Sequence, residues 1–190
     1  ANMAGVLTDK PQGRSVAQLT KPIPEMLKLH DLWVRTGGRE GEVCDLSDVD
    51  LRGGPPLDGL HLTGLVARNT VFYGISMRNI SLQGARLQGA DLRGCRMTGA
   101  DLRGANLSGA RLNFVDLRDA DVSPLMLPGG RPYPSVLDNV VLRRADLRGA
   151  KLTRANLNGA DLTEALLHNT DFEGASTEGA KIPAIKRRAA

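Results

Sequence analysis

Apolar residues recur at every fifth position through most of this chain, and that period excludes most of the ways in which it could fold. An α-helix brings a face round about every 3.6 residues and a strand about every 2.0, so neither produces a period of five. From Leu57 to Ile182 the recurring position holds a sizeable apolar residue in all but three units. Self-similarity at a fixed period indicates a stacked repeat fold in which each unit contacts only its neighbours.

The stretch from 90 to 109, ADLRGCRMTGADLRGANLSG, shows the composition of a typical unit: a small residue, a polar one, Leu or Met, another polar one, then Gly. One small and one large apolar position in every five fit a coil with a narrow interior, and Gly supplies the backbone freedom that a corner needs. The inward-pointing structural centres that we expect include Leu82, Leu92, Met97, Leu102, Leu107, Leu142, Leu147, Leu157 and Leu162.

These units resemble the pentapeptide repeat family, whose consensus is Ala-Asp/Asn-Leu-x-x. Six strict matches share one register: Ala90-Asp91-Leu92, Ala100-Asp101-Leu102, Ala105-Asn106-Leu107, Ala145-Asp146-Leu147, Ala155-Asn156-Leu157 and Ala160-Asp161-Leu162. The resemblance implies an all-β fold, a right-handed quadrilateral parallel β-helix with four units per turn and the central Leu of each side pointing inward. It also implies that the Asp before each Leu hydrogen-bonds to neighbouring backbone.

The chain divides into four predicted regions. Residues 1–21 have no sustained period and are expected to form an extended N-terminal arm. Residues 22–43 contain a short amphipathic helix from about 24 to 36, which would cap the open end of the coil, and a connector. Residues 44–182 form the pentapeptide-repeat solenoid, with one extra residue at Gly54, and 183–190 form a basic tail.

The repeat is interrupted at about 125–136, in LMLPGGRPYPSV, where three prolines and a Gly pair are incompatible with a regular side. We expect a loop that bulges from the coil between Val122 and Leu137. The phase of five is kept whether the loop adds ten or fifteen residues, so the side that follows it stays open. The loop is either a partner-contacting protrusion built on Arg131 and Tyr133 or a tolerated insertion.

No constellation of residues points to catalysis, and we predict no catalytic residue, no cofactor and no metal site. The three histidines, His30, His61 and His168, are scattered, and we expect them to be solvated. Cys44 and Cys95 take small inward positions more than two coils apart, beyond the reach of a disulfide, which is typical of a reducing compartment.

Charge narrows the choice of partner. Residues 44–182 hold sixteen Lys/Arg and sixteen Asp/Glu, so the solenoid is neutral, and the net charge of +4 lies mostly in the C-terminal tail. If four units per turn continue through the loop, one side carries a basic stripe of Arg93, Arg111, Arg131 and Lys151, which would contact a partner or be ordinary surface charge. Direct nucleic-acid binding is not expected.

We therefore expect a bacterial, cytoplasmic, non-enzymatic scaffold that contacts an unknown protein through its outward side chains and the loop. The alternative, which the resemblance suggests, is a DNA mimic that protects DNA gyrase and confers quinolone resistance. A phosphate mimic should be strongly acidic, and this solenoid is neutral. A third hypothesis is a spacer next to another domain. A homodimer joined through coil ends has no clear apolar helix to support it, and no run of residues is long and apolar enough to span a membrane.

Overall fold

The structure is a computed structural model and describes residues 13–183. In it the repeats form a coil with four sides per turn. We number the sides by the residues that bridge one coil to the next. Side 1 includes Ser81 and Asp101, side 2 Arg86 and Asn106, side 3 Asp91 and Arg111, and side 4 Arg96 and Asp116. All of these bridges are parallel, so the coils stack in one direction.

A single side shows how five residues make one straight segment and one corner. On side 1, the Asp101 N–H donates to Ile80 O at 2.9 Å in one neighbouring coil, and the Leu102 N–H donates to Asp121 O at 2.7 Å in the other. The Ala105 N–H then closes a β-turn on Leu102 O at 2.9 Å. The second central residue of that turn, Gly104, has φ 68°, the left-handed value that such a corner requires. We call this the corner position.

The number of residues per coil varies while the hydrogen-bond ladder persists. Bridged residues are 21 apart at Asp45–Val66, which agrees with one extra residue near Gly54, and 20 apart from His61–Ser81 onward. The separation rises to 30 at Asn106–Val136 and returns to 20 at Val136–Asn156. The interruption therefore adds ten residues, and side 2 follows side 1 directly after it.

If every turn held four units, residues twenty apart would stack, and Val122 would lie over Leu142. The structure corrects this alignment: the Val122 N–H donates to Lys151 O, so Val122 stacks with Leu152. Leu127 and Pro132, which keep the phase of five, lie in the interruption, as the expected loop at about 125–136 implies.

The core is one continuous column of Leu, Met and Ala side chains. All nine structural centres named above are at most 1% exposed. The column thins at its C-terminal end, where Phe172, Ala175 and Ala180 are only partly buried and Ile182 is 36% exposed. Of the predicted basic tail, residues 184–190 lie outside the described part of the chain.

The N-terminal segment adds a strand and two helices to the first coil. β1 (Arg14–Ser15) pairs in parallel with β2 (Val49–Asp50), and a short 3₁₀ helix (Val16–Gln18), which the sequence did not predict, follows it. The α-helix α1 spans Ile23–Arg35, one residue earlier than the predicted range at each end. Residues 1–12, the rest of the predicted arm, lie outside the described residues.

His30 on α1 corrects the expectation of a solvated side chain, because it is fully buried. Its Nδ1 accepts a hydrogen bond from the Cys44 N–H at 3.0 Å, and its ring stacks on Trp33 at 5.7 Å between centroids. Burial lowers the pKa of His30 below its usual value, so the imidazole is neutral at pH 7. One buried hydrogen bond thereby joins the helix to the start of the solenoid. Helical spacing alone could not show which coil group would meet this side chain.

Corner residues of successive coils fit together in pairs. Asn79 has φ 52° at a corner of side 4, and its Oδ1 lies 2.4 Å from where a Cβ on Gly99, the next corner of that side, would be. The pairs Asn69–Gly89, Asp119–Gly149 and Asn139–Gly159 show the same arrangement. Gly94, with nearly the same φ as Gly99, has nothing within 4 Å of its Cβ position. A side chain at one of these paired corners would have to displace the facing Asn or Asp side chain, whereas at Gly94 it would displace nothing.

The pairing predicts unequal costs for two otherwise matched substitutions. Gly99→Ala and Gly94→Ala both force Ala into a left-handed corner, but only Gly99→Ala pushes a methyl group into Asn79. We expect Gly99→Ala to lower the free energy of unfolding by about 0.5–1.5 kcal/mol more than Gly94→Ala, the cost of moving the Asn79 side chain away from its preferred rotamer, measured by chemical denaturation. In the double variant, Asn79→Gly should remove the extra loss that Gly99→Ala causes, and equal losses for the two single variants would contradict the pairing.

Candidate interaction hairpin

Pro124 explains why the coil is interrupted where it is. In phase with the preceding coil, it occupies the corner position of side 1, the equivalent of Gly104. Proline fixes φ near −65°, so it cannot adopt the left-handed conformation of that corner. The chain therefore leaves the coil here and rejoins it at Val136 on side 2. The proline was visible in the sequence, and the five-residue count alone places it at a corner.

The added residues form a β-hairpin and not an irregular loop. Strands β3 (Leu125–Met126) and β4 (Pro132–Tyr133) pair antiparallel. The Leu127 N–H donates to Arg131 O at 2.9 Å, and the tip turns through Gly129 and Gly130, both with positive φ. The predicted protrusion therefore has a defined backbone.

The hairpin packs directly on the coil at Gly104. A Cβ at this position would lie 2.8 Å from Leu125 Cβ and 2.9 Å from Tyr133 Cδ1, so only glycine leaves room for both side chains. We call the hairpin together with this contact the docked hairpin.

Ser135 repairs the hydrogen-bond ladder where the hairpin opens it. In regular sides the corner N–H donates to the next coil, as Gly99 does to Arg118 O at 2.8 Å. The Gly104 N–H donates instead to Ser135 Oγ at 2.8 Å, and Ser135 Oγ donates to Ser123 O at 3.0 Å. The Ser135 side chain is fully buried. Its hydroxyl replaces one direct backbone bond and holds the base of the hairpin to the coil, a role that the sequence did not reveal.

The outer surface of the hairpin is partly apolar. Met126 is 60% exposed and Tyr133 is 49% exposed, and Arg131 at the tip is also exposed. Arg131 forms no ion pair with any residue in the described part of the chain. The two residues that the sequence proposed for partner contact thus lie together on a protruding element.

The predicted basic stripe of Arg93, Arg111, Arg131 and Lys151 is wrong. Lys151 lies on side 1 between Asp121 and Asp171, because the hairpin changes the register, and Arg131 lies on the hairpin. Arg93 and Arg111 share side 3.

Those two arginines converge on one buried carboxylate, that of Asp91. Arg93 Nη2 lies 2.6 Å from Asp91 Oδ2, and Arg111 Nη2 lies 3.4 Å from it. The Arg93 side chain is only 7% exposed and lies over the Tyr73 ring, 5.6 Å from its centroid. Arg93 is therefore a poor contact residue.

In residues 13–183, each of the five arginines that follow an aspartate by two residues is bound by it. In the pairs Asp50–Arg52, Asp91–Arg93, Asp101–Arg103, Asp116–Arg118 and Asp146–Arg148, the guanidinium contacts the carboxylate on the same side. In all five pairs the carboxylate also accepts the Arg backbone N–H, at 3.1–3.3 Å. The hydrogen bonds from Arg118 hold the pKa of Asp116 at about 2. The solenoid is therefore neutral not only as a whole but also within these single sides, where an Asp neutralises the Arg two residues after it.

Residues 13–183 contain no reactive thiol and no candidate metal site. Cys44 and Cys95 are buried and unpaired, and burial raises the pKa of each thiol to about 12, so neither is a nucleophile at pH 7. No group of three or more His, Cys, Asp or Glu side chains in this range could hold a metal ion. No helix in the same range is both long and apolar enough to cross a bilayer.

This coil geometry defines a β-helical repeat protein, and the repeats identify its family. The family model of pentapeptide repeats (8 copies) matches residues 61–99, 85–123 and 137–176, more than half of the chain. The chain belongs to the pentapeptide repeat family, whose members are right-handed quadrilateral β-helices and are generally non-enzymatic.

Several solved structures are similar to the chain. HetL, a pentapeptide repeat protein involved in heterocyst differentiation regulation in the cyanobacterium Nostoc sp. strain PCC 7120, is 29% identical, with 74% of this chain and 68% of HetL covered and a TM-score of 0.49. A trypsin-treated form of QnrB1, a plasmid-mediated fluoroquinolone resistance protein, is 18% identical, with 72% and 78% covered and a TM-score of 0.36.

A pentapeptide repeat protein from the Arabidopsis thaliana thylakoid lumen is 25% identical, with 76% and 68% covered and a TM-score of 0.23. No curated protein matches the chain. The family assignment rests on the repeat model.

Removing the Ser135 hydroxyl tests how the hairpin is attached. Ser135→Ala leaves the buried Gly104 N–H and Ser123 C=O without their shared partner, and an unsatisfied buried group costs about 1–3 kcal/mol. We expect a loss of that size in the free energy of unfolding, measured by urea denaturation. Ser176→Ala is the control, because its hydroxyl bonds at the exposed surface to Asn158 and should change stability by less than about 0.5 kcal/mol. Equal effects would exclude the hydrogen-bond relay.

Proposed function

We propose that this protein is a non-enzymatic scaffold that binds another protein through the docked hairpin and the neighbouring outward side chains of the solenoid. The observation that carries the proposal is the attachment of the hairpin. Packing of Leu125 and Tyr133 against Gly104 and the buried Ser135 hydroxyl at the base hold the hairpin in one position. Its exposed side chains are therefore presented in a fixed arrangement.

The hairpin suits a binding role because it combines exposure with a fixed position. Tyr and Arg are the residue types that most often dominate binding energy, and Tyr133 and Arg131 lie on this element. Packing against Gly104 limits the freedom that Tyr133 would lose on binding, so less conformational entropy opposes association. Arg111 and Lys151 remain candidate contacts on sides 3 and 1.

In the same proposal α1 caps the N-terminal end of the solenoid. Ile23, Met26 and Leu27 pack against the core cluster, and Ile23 and Leu27 face the first-coil residues Leu46 and Leu51. Together with the His30–Cys44 hydrogen bond, these contacts cover apolar surface that a solenoid would otherwise expose, as terminal caps of repeat proteins do. We also propose a cytoplasmic location, which the unpaired, buried cysteines support.

A role as a DNA mimic acting on gyrase is the less favoured function. A mimic of the DNA backbone needs rows of carboxylates that no cation neutralises. The aspartate rows of this solenoid are instead bound to arginines two residues away, as at Asp101–Arg103 and Asp146–Arg148. The likeness to QnrB1 is one of fold.

An exact deletion of the hairpin tests the proposal. Removing residues 125–134 and changing Pro124 to Gly should restore the separation of 20 residues between bridges and place Ser135 at a small inward position. We expect this variant to retain the circular dichroism spectrum and cooperative melting of the intact protein. In quantitative affinity capture from cell extract, at least one protein held by the intact chain should fall by about tenfold with the deletion. Recovery of the same proteins in the same amounts from both forms would overturn the proposed function.

A further inference from the structure

We propose that the edge between sides 1 and 2 carries a notch at Gly84 that receives one apolar side chain of an acidic protein segment, with Trp33 and Tyr133 as its walls and Arg86 as its charge partner. This inference rests on the proposed function and names the chemistry of the partner. It joins residues from α1, the solenoid and the hairpin that the sequence separates by 100 positions.

The notch arises because three glycines stack at successive corners of one edge. The Gly64 N–H donates to Gln83 O at 2.8 Å and the Gly84 N–H to Arg103 O at 2.9 Å, so Gly64, Gly84 and Gly104 occupy equivalent corners of consecutive coils. Adjacent parallel strands are about 4.8 Å apart, and the outer two corners are therefore separated by about 10 Å.

An aromatic side chain covers each outer corner, and the middle one is open. The six-membered ring of Trp33 lies 3.4 Å from the position that a Cβ on Gly64 would take. Tyr133 lies 2.9 Å from the corresponding position on Gly104. No atom lies within 4 Å of that position on Gly84. Each ring-covered corner is about 5 Å from the open one, and nonbonded carbon atoms approach to about 3.5–4.0 Å, so the space over Gly84 takes a single side chain and not a folded element.

The rim of the notch favours a carboxylate. Arg86 follows Gly84 by two residues at the bridge position of side 2 and is exposed. Within residues 13–183 neither Arg86 nor Arg68, its exposed neighbour from the preceding coil, forms an ion pair. On side 1, Asp101 of the next coil is already bound by Arg103 and by Gln83 Nε2, the latter at 2.6 Å. An incoming Asp or Glu would therefore meet a guanidinium that no described carboxylate neutralises.

The occupant that these features describe is an extended segment in which an acidic residue lies next to Leu, Phe or a similar apolar residue. Insertion would bury the apolar side chain between two rings, and the adjacent carboxylate would form a charge-assisted hydrogen bond with Arg86. Gly84 matters because any side chain there would fill the notch.

The test uses short random peptides displayed on phage and selected on the full chain. The selected peptides should be enriched in Asp or Glu beside a large apolar residue. Trp33 is the single tryptophan of the chain, so its fluorescence should change as a synthetic copy of a selected peptide is titrated in. Arg86→Glu and Tyr133→Ser should each raise the dissociation constant of that peptide by about tenfold or more.

Matched controls separate the notch from general surface effects. Arg96→Glu reverses an exposed arginine at the same bridge position on side 4, and Tyr73→Ser removes a similarly exposed ring from side 3; both should leave binding within about twofold. Selection of no peptide, or binding that survives Arg86→Glu with unchanged Trp33 fluorescence, would overturn the notch. If a peptide whose binding survives Arg86→Glu no longer binds after deletion of residues 125–134, the hairpin still binds protein and only the notch is wrong.

Discussion

Backbone hydrogen bonds between successive coils are the constraint on which the rest of this structure depends. Each side donates to the coil before it and the coil after it, so the backbone of an interior side is satisfied only when both neighbours are in register. Each bond contributes only about 0.5–1.5 kcal/mol, but leaving one buried partner unsatisfied costs about 1–3 kcal/mol. The ladder, and not the residue count, therefore sets the alignment, which is why a separation of 21 at Asp45–Val66 and of 30 at Asn106–Val136 are both accommodated.

The hairpin follows from one residue that a corner does not accept. Pro124 ends the side before its turn can form, and the chain returns only where a small residue can re-enter the interior. Ser135 is small enough to be buried there and polar enough to carry the hydrogen bond that the detour removes. The residues that complete the hydrogen-bond ladder here also hold Tyr133 over Gly104. The exposed side chains of the hairpin therefore have a fixed position on the coil.

The sequence predicted features that repeat and missed features that depend on one neighbour. The period of five, the central Leu of each unit and the corner glycines could be predicted because each unit repeats the same inward and turning positions. The side after the hairpin could not, since excursions of ten and fifteen residues keep the same phase.

Pairwise contacts lay outside the reach of a periodic pattern. Arg93 and Arg103 occupy positions that the period marks as outward, but each folds back onto the aspartate two residues before it. His30 is polar on a helix and yet buried, because the Cys44 N–H needs an acceptor. The predicted basic stripe was wrong because the hairpin adds ten residues to one turn, which places Lys151 on side 1 and not on the side of Arg111.

The most direct test of this account is a disulfide cross-link across the hairpin, in a chain whose Cys44 and Cys95 are replaced by Ala. Arg111 and Val141 are bridge partners on adjacent coils. Neighbouring strands lie about 4.8 Å apart, within the range of about 4.4–6.8 Å between Cα atoms that a disulfide spans. Arg111→Cys with Val141→Cys should cross-link on mild oxidation, and Arg111→Cys with Arg131→Cys should not. The opposite pattern would show that the solenoid continues at 20 residues per coil through residues 125–136, and would contradict the docked hairpin.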